Sequence, residues 1–265
     1  VPMADSRHNG PAASFRRIRL VVGHTLGAAL HLRLTVLLAF IGIGLIGGAR
    51  ALRDFNFGTA ELKFLGDFGL GVVGFLGALL AVLAPAHLFF DGIGSRSVYC
   101  VLARPVRRWE YLLGIYAGVA ALLAGFVAVL ALVLAAIIAV REAGLQASFV
   151  PLPVFLQACA LVWLKVTLIA AMTLLVCSYA GSALFASGAG LLLALIAHLR
   201  PFAPDSGLLS WLRVWPNLGL FDAGALLATG QSPTGAWLAG VIIYWAAYAV
   251  FFTALASYAF KHREF

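Results

Sequence analysis

The 265-residue chain reads as an all-α integral membrane protein with six transmembrane helices. Three observations predict that class. Hydrophobic residues make up 63% of the chain and charged residues 11%, more apolar surface than a water-soluble domain can hide. The apolar residues gather in runs close to the length of about 20 that a helix needs to cross a hydrocarbon core. Lysines, arginines and acids fall at the ends of those runs, with Lys165 the one charge well inside a run.

Taken in order, residues 1–14 are polar and expected to be a disordered N-terminus, and residues 15–265 form a single membrane domain. Phe15, Ile18, Val22, Leu26 and Ala29 recur at helical spacing, while Arg16, Arg17 and Arg19 cluster at the start. That pattern predicts an amphipathic helix over 15–32 lying on the inner leaflet, or else a simple cytoplasmic extension of the first span. Spans follow at about 34–49, 68–90, 111–140, 154–178, 181–199 and 236–260. The third is longer than a bilayer requires and must tilt or protrude. A brief turn, Ser178-Tyr179-Ala180-Gly181-Ser182, separates the fourth from the fifth. Between the fifth and sixth, Pro201, Pro204, Pro216 and Pro233 interrupt a stretch that also holds Trp211, Trp215 and Phe221. Prolines break a continuous span and tryptophans favour the interface, so short helices resting in the outer leaflet are predicted there.

Six spans put both termini on one side. Of the 18 Lys and Arg, eleven fall on that side, six on the other, and Lys165 lies in a span. The excess places the termini, and the segment between spans two and three, in the cytoplasm. That segment, Ser95 to Glu110, carries Arg96, Arg104, Arg107 and Arg108. Its composition predicts a short surface helix followed by a turn at Pro105. The arginines are scattered over span ends and form no single basic face, which excludes nucleic acid as a partner.

Several chemistries are missing. There is no G-x-x-x-x-G-K-[ST] phosphate loop, and the abundant glycines sit in spans, where small residues let helices approach. Ser182 and Ser187 have no convergent base, with His198 at the far end of their own helix, so no hydrolase is predicted. His24, His31 and His87 do not form a metal pattern, and Cys100, Cys159 and Cys177 read as small apolar residues without ligand spacing. Asp67, Glu110, Asp222 and Glu264 fall at span edges and read as interface or loop carboxylates. Lys165 would cost about 2.5 to 3.5 kcal/mol at mid-membrane. It therefore lines a translocation route or a subunit interface, or snorkels within a shifted span.

The stretch Arg96-Ser97-Val98-Tyr99, with Leu102-Ala103-Arg104-Pro105-Val106-Arg107-Arg108-Trp109-Glu110-Tyr111-Leu112-Leu113-Gly114, resembles the first cytoplasmic loop of type-2 ATP-binding-cassette permeases. The nearest branch is the multicopper-enzyme maturation permeases, whose pattern is T-I-Y-x-L-L-x-(K/R)-P-x-x-R-x-x-x-(L/V)-x-G-K. Trp215-Pro216-Asn217-Leu218-Gly219-Leu220-Phe221 and the closing Phe260-Lys261-His262-Arg263-Glu264-Phe265 are similar to two further family segments. The chain departs at Gly92-Ile93-Gly94, where the family carries E-I-E, and at Ile115, where it carries lysine.

The resemblance implies a permease subunit in a bacterial inner membrane that pairs with a second permease copy, the same or different. Cytoplasmic ATPase subunits would bind ATP and Mg; this chain would bind no cofactor and catalyse nothing. The loop would be a coupling helix seated on the ATPase, with Arg96, Ser97, Val98 and Tyr99 on the helix and Arg104, Pro105, Arg107 and Arg108 on its exit. Export of a substrate is the family expectation. A non-transporting anchor that recruits a cytoplasmic partner is the alternative.

Overall fold

A computed structural model describes residues 11–49, 61–94, 108–145, 150–202, 215–230 and 232–261. Among them all regular structure is helical. The helices are α1 (Pro11–Leu30), α2 (Arg33–Gly48), α3 (Glu61–Gly94), α4 (Arg108–Leu145), α5 (Leu152–Tyr179), α6 (Ala183–Leu199), α7 (Ala223–Thr229) and α8 (Gly235–Lys261), with 3-10 turns at Arg200–Phe202 and Leu218–Phe221.

Four of these, α3, α4, α5 and α8, are long and apolar enough to cross a membrane. A fifth crossing results if α1 and α2, bent by 60° at their junction, count as one. The six expected spans therefore include two short members, since α2 has 16 residues and α6 has 17. Both fall below the length of about 20 that spans a straight path.

The α1–α2 break has a local cause. Leu32 adopts an extended conformation, and the Ala29 carbonyl at the end of α1 accepts both the Leu32 N–H at 3.3 Å and the Thr35 hydroxyl at 3.0 Å. α1 begins at Pro11, ahead of the Phe15 start that periodicity predicts, with proline at a first-turn position it tolerates well. The α5–α6 turn falls where expected: α5 ends at Tyr179, and the Ser182 hydroxyl accepts from the Phe185 N–H at 3.3 Å as the N-cap of α6. Pro85 sits inside α3 without ending it.

α5 is the hub. It packs on α3, α4, α6, α7 and α8, and 72% of its apolar window is buried, against 22% for α8. Close contacts use small residues. Gly190 of α6 faces Thr173 of α5 and Val82 of α3, and Gly42 of α2 meets Leu130 of α4 and Leu76 of α3. Outward faces stay apolar: Phe40 of α2 is 70% exposed, Leu184 of α6 85% and Ile243 of α8 69%. Water would not tolerate so much uncovered hydrocarbon; this is the surface of a multi-pass membrane protein.

Candidate functional site

Two regions gather chemistry. The first flanks the arginine-bearing segment. Arg96, Ser97, Val98, Tyr99, Arg104, Pro105 and Arg107 lie outside the described residues, and Arg108 opens α4. What the structure describes is the frame on either side: the end of α3 and the start of α4.

Glu110, in the first turn of α4, is fully buried. Arg17 of α1 donates to its Oε1 at 3.1 Å. Burying a carboxylate without a cation would be strongly unfavourable, so the pair fixes α1 to the first turn of α4. The contact continues along both helices. One turn on, a Cβ at Gly114 would sit 2.5 Å from Val21 Cγ1, and another turn on, a Cβ at Gly118 would sit 2.7 Å from Thr25 Cβ. Arg17, Val21 and Thr25 thus run beside Glu110, Gly114 and Gly118 in the same direction, four residues per step. α1 is docked on the bundle. Its inward stripe is Arg17, Val21, Thr25 and Ala29, whereas Phe15, which the periodicity puts with Ala29 on the apolar face toward the leaflet, is 71% exposed. The reason is steric: the Gly114–Gly118 groove admits Val21 and Thr25, and their placement turns Phe15 outward.

The second region lies toward the opposite end of α3, α4 and α5. Lys165, midway along α5, is half-buried. Among the described residues its ammonium makes no hydrogen bond and no ion pair within 4 Å. Asp222, at the N-cap of α7, is near enough to exert an electrostatic effect on Lys165, His198 and Asp67. Asp222 Oδ1 accepts from the Gly224 N–H at 3.0 Å, which orients the carboxylate. Asp67 Oδ1 approaches the same glycine, 3.9 Å from where its Cβ would stand. Helices α3, α5 and α6 and the N-cap of α7 therefore each bring one ionisable group into a loose charged cluster around Asp222, without closing a direct pair among the described residues.

Beside this cluster a capping segment, 215–222, packs its 3-10 turn on α5 and α6. Tyr244 Oη of α8 accepts from the Asn217 N–H at 2.7 Å and from Arg200 Nη1 at 3.3 Å. Asn217 Oδ1 accepts from the Gly219 N–H at 3.0 Å and shapes the 3-10 turn. Gly219 lets Pro201 approach, since a Cβ there would lie 2.9 Å from the proline ring. Gly230, with φ of 64°, closes α7 in the left-handed conformation that glycine accepts without penalty. Beneath the cap, Trp245 Nε1 donates to Thr167 Oγ1 at 3.0 Å and its ring lies 6.1 Å from that of Trp163.

The candidate residues from the sequence are thus divided between the two regions, with Lys165 in the charged cluster and Arg108 at the frame. Sequence reasoning placed Asp67 and Asp222 at span edges but did not bring Asp222 within electrostatic range of Asp67 and Lys165. It also missed Arg17 as the partner of Glu110 and Tyr244 as the anchor of the cap. The four-residue spacing of Gly114 and Gly118 was the available signal for the α1 contact; nothing local marks Tyr244. No group of three or more His, Cys, Asp or Glu suited to a metal ion occurs among the described residues. Comparison with models of known protein families and with curated proteins gave no match.

Proposed function

We propose that this chain is the membrane-spanning permease subunit of an ATP-binding-cassette transporter, exporting its substrate with ATP hydrolysed by separate cytoplasmic ATPase subunits. The chain is multi-pass, with six crossings if α2 and α6 are completed by the residues flanking them. Both termini lie in the cytoplasm of a bacterial inner membrane. It pairs with a second permease copy, the same or different, and the substrate route runs between copies with Lys165 facing it.

The observation that carries this reading is the frame around the arginine segment. α3 has 34 residues and α4 has 38. At about 1.5 Å per residue they reach roughly 51 and 57 Å, well beyond a hydrocarbon core of about 30 Å. Their excess length allows the last turns of α3 and the first turns of α4 to stand clear of the bilayer, where a soluble partner can reach them. The Arg17–Glu110 pair and the glycine groove stiffen the start of α4, so a push there moves α1 and α4 together. The sequence motif supplies the partner class, and the lack of a phosphate loop in this chain requires one. Coupling then needs only that ATP favour one conformation of the ATPases over the other.

The test is co-purification with the ATPase encoded beside this chain. The wild-type pair should associate in detergent or nanodiscs, and Arg96→Glu should weaken association while leaving membrane insertion unchanged. Failure of the wild-type pair to associate would refute the proposal, as would labelling that located Arg104 to Arg108 on the periplasmic surface.

A further inference from the structure

The three arginines of α1 have different fates. Arg17 turns inward to Glu110. Arg16 and Arg19 are exposed, one helical turn apart, and make no hydrogen bond or ion pair among the described residues. Beside them stand two large apolar side chains, Phe15 at 71% and Leu20 at 64% exposure. α1 contains no acidic residue, so this outer face has no internal counter-charge.

Its position adds a second constraint. α1 ends at a 60° bend, and the exposed residues His31 and Arg33 mark that bend. Beyond Arg33, α2 carries no charge through Gly48. The start of α1 is level with the start of α4, since Arg17 meets Glu110 in the first turn of α4, whose apolar run begins there. At that level, arginines between exposed aromatic and aliphatic groups meet headgroups and the upper acyl region together.

We propose that Phe15, Arg16, Arg19 and Leu20 form a binding face for anionic glycerophospholipid headgroups. The guanidinium groups take the phosphates, their stems lie along the apolar surface, and Phe15 and Leu20 enter the acyl boundary. Arg17 does not contribute, because its charge is met inside the protein. Charge complementarity selects the occupant: a cationic face without acids favours an anionic leaflet over a zwitterionic one. This inference does not depend on the permease proposal, since it uses only the exposure and charge of α1.

The experiment is native mass spectrometry of the full chain in detergent, titrated with phosphatidylglycerol or phosphatidylcholine of matched acyl length. Wild type should retain phosphatidylglycerol preferentially. Each arginine near an anionic surface contributes about 1 kcal/mol, or roughly fivefold. The double variant Arg16→Gln/Arg19→Gln should therefore lose about 30-fold of that preference at two such contributions. Arg16→Lys/Arg19→Lys keeps the charge and should retain most of it, which separates charge from misfolding. An unchanged preference in the glutamine variant would overturn the proposal. So would an equal loss in the lysine variant, or loss of a bound acidic protein with the lipid preference intact.

Discussion

Gly114 and Gly125 lie on the same helix, and alanine should act on them in opposite directions. At Gly125 no atom lies within 4 Å of a new Cβ. Alanine there gains helix propensity alone, about 1 kcal/mol of stabilisation. At Gly114 the same Cβ would lie 2.5 Å from Val21 Cγ1 and 2.6 Å from Val21 Cβ. Ordinary carbon contacts are about 3.5–4.0 Å, so α1 must retreat by roughly an ångström. Rotating Val21 does not help, because its Cβ is itself in the way. Overpacking of this kind costs about 1–3 kcal/mol. The propensity gain is common to both sites, so the difference between them is the clash, roughly 5- to 150-fold in the unfolding equilibrium for that range. Reversible unfolding in mixed micelles, with both variants measured against wild type, gives that difference directly. Equal shifts at the two sites would show that α1 does not touch α4 at Gly114 and would remove the frame on which the coupling argument stands.

Two further outcomes follow from the charged cluster and the segment beside it. Lys165→Met should leave folding intact, because Lys165 has no close ion pair among the described residues to lose. In a reconstituted complex it should lower substrate-stimulated ATPase activity by at least about tenfold, as expected for losing a hydrogen bond from a charged group to substrate; unchanged stimulation would place Lys165 outside the route. Tyr244→Phe removes the acceptor used by the Asn217 N–H and Arg200. The Asn217 amide should then exchange with solvent about tenfold faster for a loss of about 1–1.5 kcal/mol; an unchanged rate would mean that Tyr244 does not hold the cap.

Much of the helical plan is legible in the residues themselves. Runs such as Val154 to Ser178 are unbroken by charge except at Lys165, and hydrocarbon length sets how long such a run must be. The Ser178–Ser182 turn is readable because a glycine and a serine cap interrupt an otherwise apolar pattern. The face of α1 is not readable from its own periodicity. Val21, Val22 and Ile18 are equally apolar, and only the groove at Gly114 and Gly118 decides which of them points inward. The lengths of α2 and α6 are legible by contrast: the apolar runs at 34–49 and 181–199 lie within two residues of the observed helix ends. The charged cluster is the least legible of all. Asp67, Lys165, His198 and Asp222 span more than half the chain, and although Lys165 stands out inside its run, nothing in the sequence names Asp222 as its neighbour.

From composition and pattern alone came the solvent, the helical class, the position of the apolar runs and the lack of a G-x-x-x-x-G-K-[ST] loop. These are properties that a residue carries wherever it is placed, because transfer from water to lipid depends mainly on the side chain itself. The tertiary structure decided which charges share a space: Arg17 with Glu110, and Lys165 with Asp222. Electrostatic interaction falls with distance through space and takes no account of separation along the chain. That is why only the packed helices could assign those partners.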